Sequence, residues 1–162
     1  MKKHFLLLLL TSLAMACKQA KETNSYLDEA RTAIAQSNTI YFQAFEKGDS
    51  SIFIDRYAID CCIMPPNAPA LCGENAAIEF FKLAYYQIGL RNGKFITTAV
   101  YGDGVEFVTE EGLWQSFDAN KVMFDNGKFL VLWKKTENGW KMFRDSFSSD
   151  RPGPVNSQKK DK

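Results

Sequence analysis

Residues 94–148 read KFITTAVYGDGVEFVTEEGLWQSFDANKVMFDNGKFLVLWKKTENGWKMFRDSFS. Four turn signals punctuate this stretch: Gly102-Asp103-Gly104, Glu110-Glu111-Gly112, Asp125-Asn126-Gly127 and Glu137-Asn138-Gly139. Glycine, beside Asp or Asn in three of the four, supplies the positive φ that tight hairpins need. The spacing predicts strands over 94–101, 104–109, 112–123, 127–136 and 140–148. Consecutive strands joined by tight turns make an antiparallel meander.

Helical signals precede the meander. Tyr26, Leu27, Ala30, Ala33, Ile34, Ile40, Tyr41, Ala44 and Phe45 recur at helical spacing and predict one long amphipathic helix over 25–47. Gly48 ends it, and Asp49 or Ser50 caps a short second helix carrying Ile52, Phe53 and Tyr57. Asp60–Met64 reads as a strand, Pro65-Pro66-Asn67-Ala68-Pro69 as a rigid loop, and Ala70–Cys72 as a returning strand. A third helix is expected over 75–89, with Ile78, Phe81, Tyr85 and Ile88 as its inner stripe. Helices first and strands second mean an α+β domain.

The chain has 162 residues, 46% of them apolar and 14% aromatic, enough for one domain with a packed core. Twenty basic and 19 acidic residues are mixed along the chain, so no nucleic-acid partner is expected. Lys2 and Lys3 precede an apolar run from Phe5 to Met15, shorter than the roughly 20 residues of a spanning helix. This pattern reads as a signal peptide over 1–16. Leu13-Ala14-Met15-Ala16-Cys17 resembles a bacterial lipobox, which implies an acylated Cys17 that anchors the chain to a membrane of the cell envelope. Plain secretion or periplasmic release after Ala16 is the alternative. Residues 17–25 read as the tether, 26–150 as the domain and 151–162 as a disordered tail.

Cleavage removes His4, the sole histidine. A mature chain without imidazole has no Ser-His-Asp triad, no Cys-His pair and no histidine-ligated metal. Neither a metal nor a cofactor is expected. In an oxidising compartment Cys61 or Cys62 can bridge to Cys72, with Cys62 the better aimed; three free thiols are the alternative.

Several motifs are similar to one family. They are Phe45-Glu46-Lys47-Gly48-Asp49, Tyr57-Ala58-Ile59-Asp60, Ile63-Met64-Pro65-Pro66-Asn67, Gly73-Glu74-Asn75-Ala76-Ala77-Ile78, Gly102-Asp103-Gly104, Trp133-Lys134-Lys135 with Gly139-Trp140-Lys141, and Arg144–Asp150. Over 26–150 the chain resembles the nuclear transport factor 2-like, or SnoaL-like, superfamily, in its bacterial ketosteroid isomerase homologue branch. The resemblance implies a cystatin-like cone: a strongly curved antiparallel (mixed) sheet with about three N-terminal helices in its concave face. It also implies a deep pocket and a homodimer through the sheet's outer face. The family's oxyanion tyrosine falls on Tyr41. Its aspartate base falls on Pro65, and its protonated aspartate near Val131, so two of three working groups are missing.

Asp145 is the best acid–base candidate. Strand alternation puts it between Phe143 and Phe147 on one face, with Trp140, Met142 and Arg144 on the other. Desolvation there raises a carboxyl pKa; the alternative is a structural acceptor. Tyr41 is a donor to a substrate oxygen or a buried, satisfied tyrosine. Phe45, Tyr57, Met64, Phe81, Tyr85, Trp114, Trp133 and Phe147 are candidate lining residues of a pocket for a small apolar or aromatic ligand, or ordinary core. Arg144 meets an anion or makes a surface ion pair. Three functions are therefore open. The chain is a ligand-binding domain, an isomerase, cyclase or dehydratase working through Asp145 and Tyr41, or a dimerising accessory domain with Trp140 at its interface.

Overall fold

The structure is a computed structural model that describes residues 25–152. The expected signal peptide, the acylated Cys17 and the tail past Pro152 lie outside the described residues. Helix α1 covers 25–41 and buries Ala30, Ile34, Ser37 and Tyr41, three and four residues apart. The helix expected to reach residue 47 is interrupted. The chain turns at Phe42 before α2, Gln43–Lys47. The turn lets Tyr41 and Phe42, adjacent in sequence, both be buried. Gly48, at φ 65°, closes α2. Asp49 accepts the Ser51 amide at 2.9 Å and caps α3, Ser50–Ile54.

Strand β1, Tyr57–Met64, returns through the proline loop to β2, Leu71–Cys72, and a disulfide joins Cys62 to Cys72. Cys61 is reduced and buried. The third helix divides into α4, Ala76–Lys82, and a π-helical turn, Leu83–Ile88. Its neighbours Phe80 and Phe81 are both buried, on different sides. Phe81 stacks between Phe45 and Tyr85, at 5.0 and 5.5 Å.

The meander is β3 (Asn92–Gly102), β4 (Phe107–Phe117), β5 (Met123–Thr136) and β6 (Gly139–Ser149). One curved, mixed six-stranded sheet results, in the order β2-β1-β6-β5-β4-β3, with β1 parallel to β6 and every other pair antiparallel. Helix α1 runs antiparallel to β3. Leu27 lies against Gly104, Arg31 donates to the Val100 carbonyl at 3.1 Å, and the Phe42 ring lies against Gly93.

Two expected turns proved to be strand. Glu110-Glu111-Gly112 runs straight through β4, and Asp125-Asn126-Gly127 through β5. Their glycines serve close packing instead. A Cβ on Gly112 would sit 2.4 Å from the Ile96 carbonyl oxygen, and one on Gly127 would sit 1.7 Å from that of Ser148. The real turn lies at 118–122, inside the expected strand 112–123. There Asp118 accepts the Asn120 and Val122 amides at 2.8 and 2.9 Å, and Lys121 takes φ 63°.

A bulge decides the faces of β6. Trp133 pairs with Met142 but Leu132 pairs with Arg144, so Phe143 is the extra residue. Trp140, Met142, Asp145 and Phe147 therefore face the core side. Phe143 does not flank Asp145 as strand alternation predicts; it packs on Phe107 under the Arg144 guanidinium on the other face. Trp140 is buried and is not an outer-face residue.

Replacing Gly127 by Ala forces the β5–β6 ladder apart. A loss of about 2 kcal/mol or more in urea unfolding is expected, at the upper part of the range for overpacking; an unchanged midpoint would refute this account of the glycine.

Candidate functional site

A cavity of about 340 Å³ lies where α1 ends, beside the first half of β3. Its floor is aromatic. Tyr41 and Phe42 come from the end of α1, Phe95 from β3, Trp114 from β4, Phe129 from β5 and Phe147 from β6. Their inward aim follows from strand alternation: Phe95 pairs with Trp114, and Phe129 with Phe147. Phe80 and Ala84 roof the cavity from the third helical segment. The rim is Pro65–Ala68, Ile88, Arg151 and Pro152. The first two residues of the expected disordered tail therefore belong to the mouth.

Asp145 is the carboxylate of the buried floor, 6% exposed. Its Oδ2 accepts the Tyr57 hydroxyl at 2.6 Å, and the Tyr41 hydroxyl lies 3.4 Å from that of Tyr57. The three groups form one chain, Tyr41–Tyr57–Asp145. Oδ1 takes no hydrogen bond from the described residues and is left to the cavity.

Burial pushes the Asp145 carboxyl up to about 6; the Tyr57 hydrogen bond opposes this, and the Glu110 charge adds to it. Burial, reinforced by the Asp145 charge, raises both tyrosines well above 10. They remain neutral donors at physiological pH.

Glu110 is a second buried carboxylate. It pairs with Val131, and Val131 with Asp145, so the three share one row across β4, β5 and β6. Glu110 accepts from Asn38 at 2.7 Å, Thr97 at 2.6 Å and Trp133 at 3.0 Å, which ties α1 and β3 to the sheet. Burial still raises its carboxyl against those three bonds. A turn assigned to 110–112 hides this residue in the sequence. Read as strand, Val108-x-Glu110-x-Gly112-x-Trp114 puts a charge in an inward row.

The remaining candidates divide. Trp114 and Phe147 line the cavity with Tyr41 and Asp145. Phe45, Phe81 and Trp133 are fully packed core behind it. Tyr57 reaches the site only through its hydroxyl. Met64 and Tyr85 lie off the cavity, because Phe80 and Leu83, not Phe81 and Tyr85, face it from the helix. Arg144 donates to the Asp60 and Phe143 carbonyls at 3.0 and 2.8 Å on the outer side, away from the site. Cys61 is buried, and burial pushes its thiol up, against use as a nucleophile.

No family model and no curated protein matches the chain. Solved structures do. A ketosteroid isomerase-like protein from Erwinia carotovora atroseptica SCRI1043 aligns over 80% of this chain and 99% of its own, at 20% identity and TM-score 0.62. An NTF-2 like protein from Shewanella oneidensis MR-1 aligns over 73% and 98%, at 18% identity and TM-score 0.61. A cystatin-like domain from Nostoc punctiforme PCC 73102 aligns over 76% and 78%, at 12% identity and TM-score 0.65. The fold is nuclear transport factor 2-like. Identities this low establish the architecture, and the chemistry has to be read from this chain's own residues. Within the nuclear transport factor 2-like cone, Pro65 stands at the mouth where the resemblance places a carboxylate base. Val131 stands one strand over from Asp145.

The raised Asp145 carboxyl has a thermodynamic sign. A folded-state pKa of about 6 against an ordinary 3.8 means the native state holds the proton more tightly. The ionised form costs stability above about pH 6, and the cost disappears below about pH 4. Asp145→Asn is expected to stabilise the fold by on the order of 2–3 kcal/mol at pH 7 and by little at pH 4, in chemical denaturation at each pH. Equal gains at both would contradict a desolvated carboxylate. Tyr57→Phe removes the opposing hydrogen bond and should move the Asp145 titration above 6, read by carboxyl ¹³C NMR.

Proposed function

We propose that this domain is a receptor for a small apolar or aromatic molecule, which fills the aromatic cavity and sets its polar end against Asp145. The supporting observation is the cavity itself: about 340 Å³ of aromatic lining around a single deep carboxylate that has a free oxygen. Ligand sites are typically apolar hollows with a few convergent polar groups, and this is such a hollow.

A second reading is proton transfer on a carbonyl substrate, of the isomerase, cyclase or dehydratase kind. Its support is the carboxyl tuned to about 6 and aimed into an apolar cavity. In that reading Asp145 takes the proton next to the carbonyl. Tyr57 stabilises the carboxylate, and Tyr41 acts through Tyr57.

The sequence supports the setting: an exported chain, lipid-anchored at Cys17 in the cell envelope. The first described residues of α1 lie beside the β3–β4 turn, at the end of the molecule away from the cavity. We also propose a homodimer through the outer sheet face, where Ile96, Leu113 and Leu130 are exposed on adjacent strands.

N-phenyl-1-naphthylamine, a neutral dye that brightens in apolar surroundings, tests the receptor. Titration should saturate at one dye per chain, and Ser116→Phe, which fills the cavity, should abolish the signal while thermal unfolding stays cooperative. Dye binding that survives the filled cavity would remove the proposal. For the catalytic reading, wild-type protein should exchange the α-protons of cyclohexanone in D₂O faster than buffer, and Asp145→Asn should not. Exchange at the buffer rate would dismiss that reading. Native mass spectrometry of protein from its own host reads the acyl mass at Cys17, the subunit count and any retained ligand.

A further inference from the structure

The receptor reading leaves the charge of the ligand open, and the cavity has a charge of its own. Asp145 lies on the cavity floor, and Asp125 and Arg151 are the other charged groups lining the cavity. Arg151 is at the rim, where its Nε is 3.9 Å from Asp125. No lysine or arginine among the described residues forms an ion pair or hydrogen bond with Asp145. Its one donor is the neutral Tyr57 hydroxyl. The next buried charge in its row, Glu110, has the same sign. A buried carboxylate is ordinarily paired with a cation, because removing an unpaired charge from water is costly.

What surrounds that carboxylate is a set of aromatic rings. The centroids of Tyr41 and Phe95 are 4.9 Å apart, those of Phe95 and Phe129 5.1 Å, and those of Trp114 and Phe147 5.7 Å. They belong to four strands and one helix, so their rings border the same space from different directions. The faces of aromatic rings are electron-rich and attract cations, most of all weakly hydrated ones such as alkylammonium groups. Carboxylate and rings thus favour the same sign of guest.

We propose that the cavity is selective for an organic cation, an amine or quaternary ammonium group on an apolar body. The ammonium group takes the place of the missing counter-ion at Asp145 Oδ1, and the rings enclose its alkyl substituents. This rests on the receptor reading and narrows it to one ligand class. It also accounts for Tyr57 and Tyr41. The Tyr57 hydroxyl, itself backed by that of Tyr41, satisfies one oxygen of the carboxylate, which leaves the other for the guest.

Displacement of N-phenyl-1-naphthylamine from the purified chain provides the test. The competitors are benzyltrimethylammonium, its neutral carbon isostere neopentylbenzene, and phenylacetate. The cation is expected to displace the dye at a concentration at least tenfold below the isostere, with phenylacetate weakest. In Asp145→Asn the ratio of cation to isostere displacement should fall to about one, whatever the variant's own dye affinity. The titratable groups facing Asp145 are Tyr41 from α1, Tyr57 and Cys61 from β1 and Glu110 from β4. Burial holds the tyrosines and the thiol neutral; of the two carboxyls, Glu110 is taken up by three donors and does not line the cavity, so a guest reads the protonation of Asp145. Cation affinity should therefore fall about tenfold between pH 7.5 and 5, while dye affinity stays level. Equal displacement by cation and isostere, or a preference retained in Asp145→Asn, overturns the cation proposal and leaves the receptor intact. No dye binding at all overturns both.

Discussion

A carboxylate held out of water among aromatic rings and steadied by a tyrosine hydroxyl organises the cavity of this molecule. Asp145 reaches that place because β6 carries one extra residue at Phe143. Without the bulge, Trp140 and Met142 could not share the core side with Asp145 and Phe147. Either the tryptophan or the carboxylate would face water. The bulge lets one strand bury its first half as hydrophobic core and offer its second half to a cavity.

The same economy runs through the neighbouring strands. Each inward row of β4 and β5 changes character along its length. Val108, Glu110 and Trp133 are closed into the packed end, while Trp114, Ser116 and Phe129 open on the cavity. Glycine sets the boundary. Gly112 and Gly127 draw strands and rings together where a Cβ would hold them apart. Glu110 then joins α1, β3 and β5 through one hydrogen bond to each, so the helix that supplies Tyr41 and Phe42 has a fixed origin.

The chemistry of the cavity differs from what its architecture leads one to expect. Proline and valine stand where the resemblance places two carboxylates, and the carboxyl that is present projects from a neighbouring strand. Shape alone therefore says little about reaction or ligand here. What discriminates is local: a negative charge without a counter-ion, a free oxygen, and rings on several sides. The third helical segment shows the same local control. Its π-helical turn follows Phe80 and Phe81, adjacent residues buried on different sides of the segment, one over the cavity and one in the core.

Much of the fold was legible in the chain. Helical spacing through Ile34 and Tyr41, the closing Gly48, the proline loop and the paired Cys62 and Cys72 are local matters, decided by backbone preference and short-range geometry. So was the order of helices before strands. Other features had no local signature. Gly112 and Gly127 carry turn-like neighbours, yet they sit in strands because adjacent strands approach too closely for a side chain. Asp118 supplied the turn by accepting two amides. The faces of β6 inverted at a bulge that depends on its pairing with β5. The selection of Phe80 over Phe81 as a lining residue, and of Tyr57 as the partner of Asp145, needed helix and sheet brought together. Composition and spacing set what each segment can form. Which carboxylate ends up dry, and which rings surround it, follow from contacts between segments far apart in the chain.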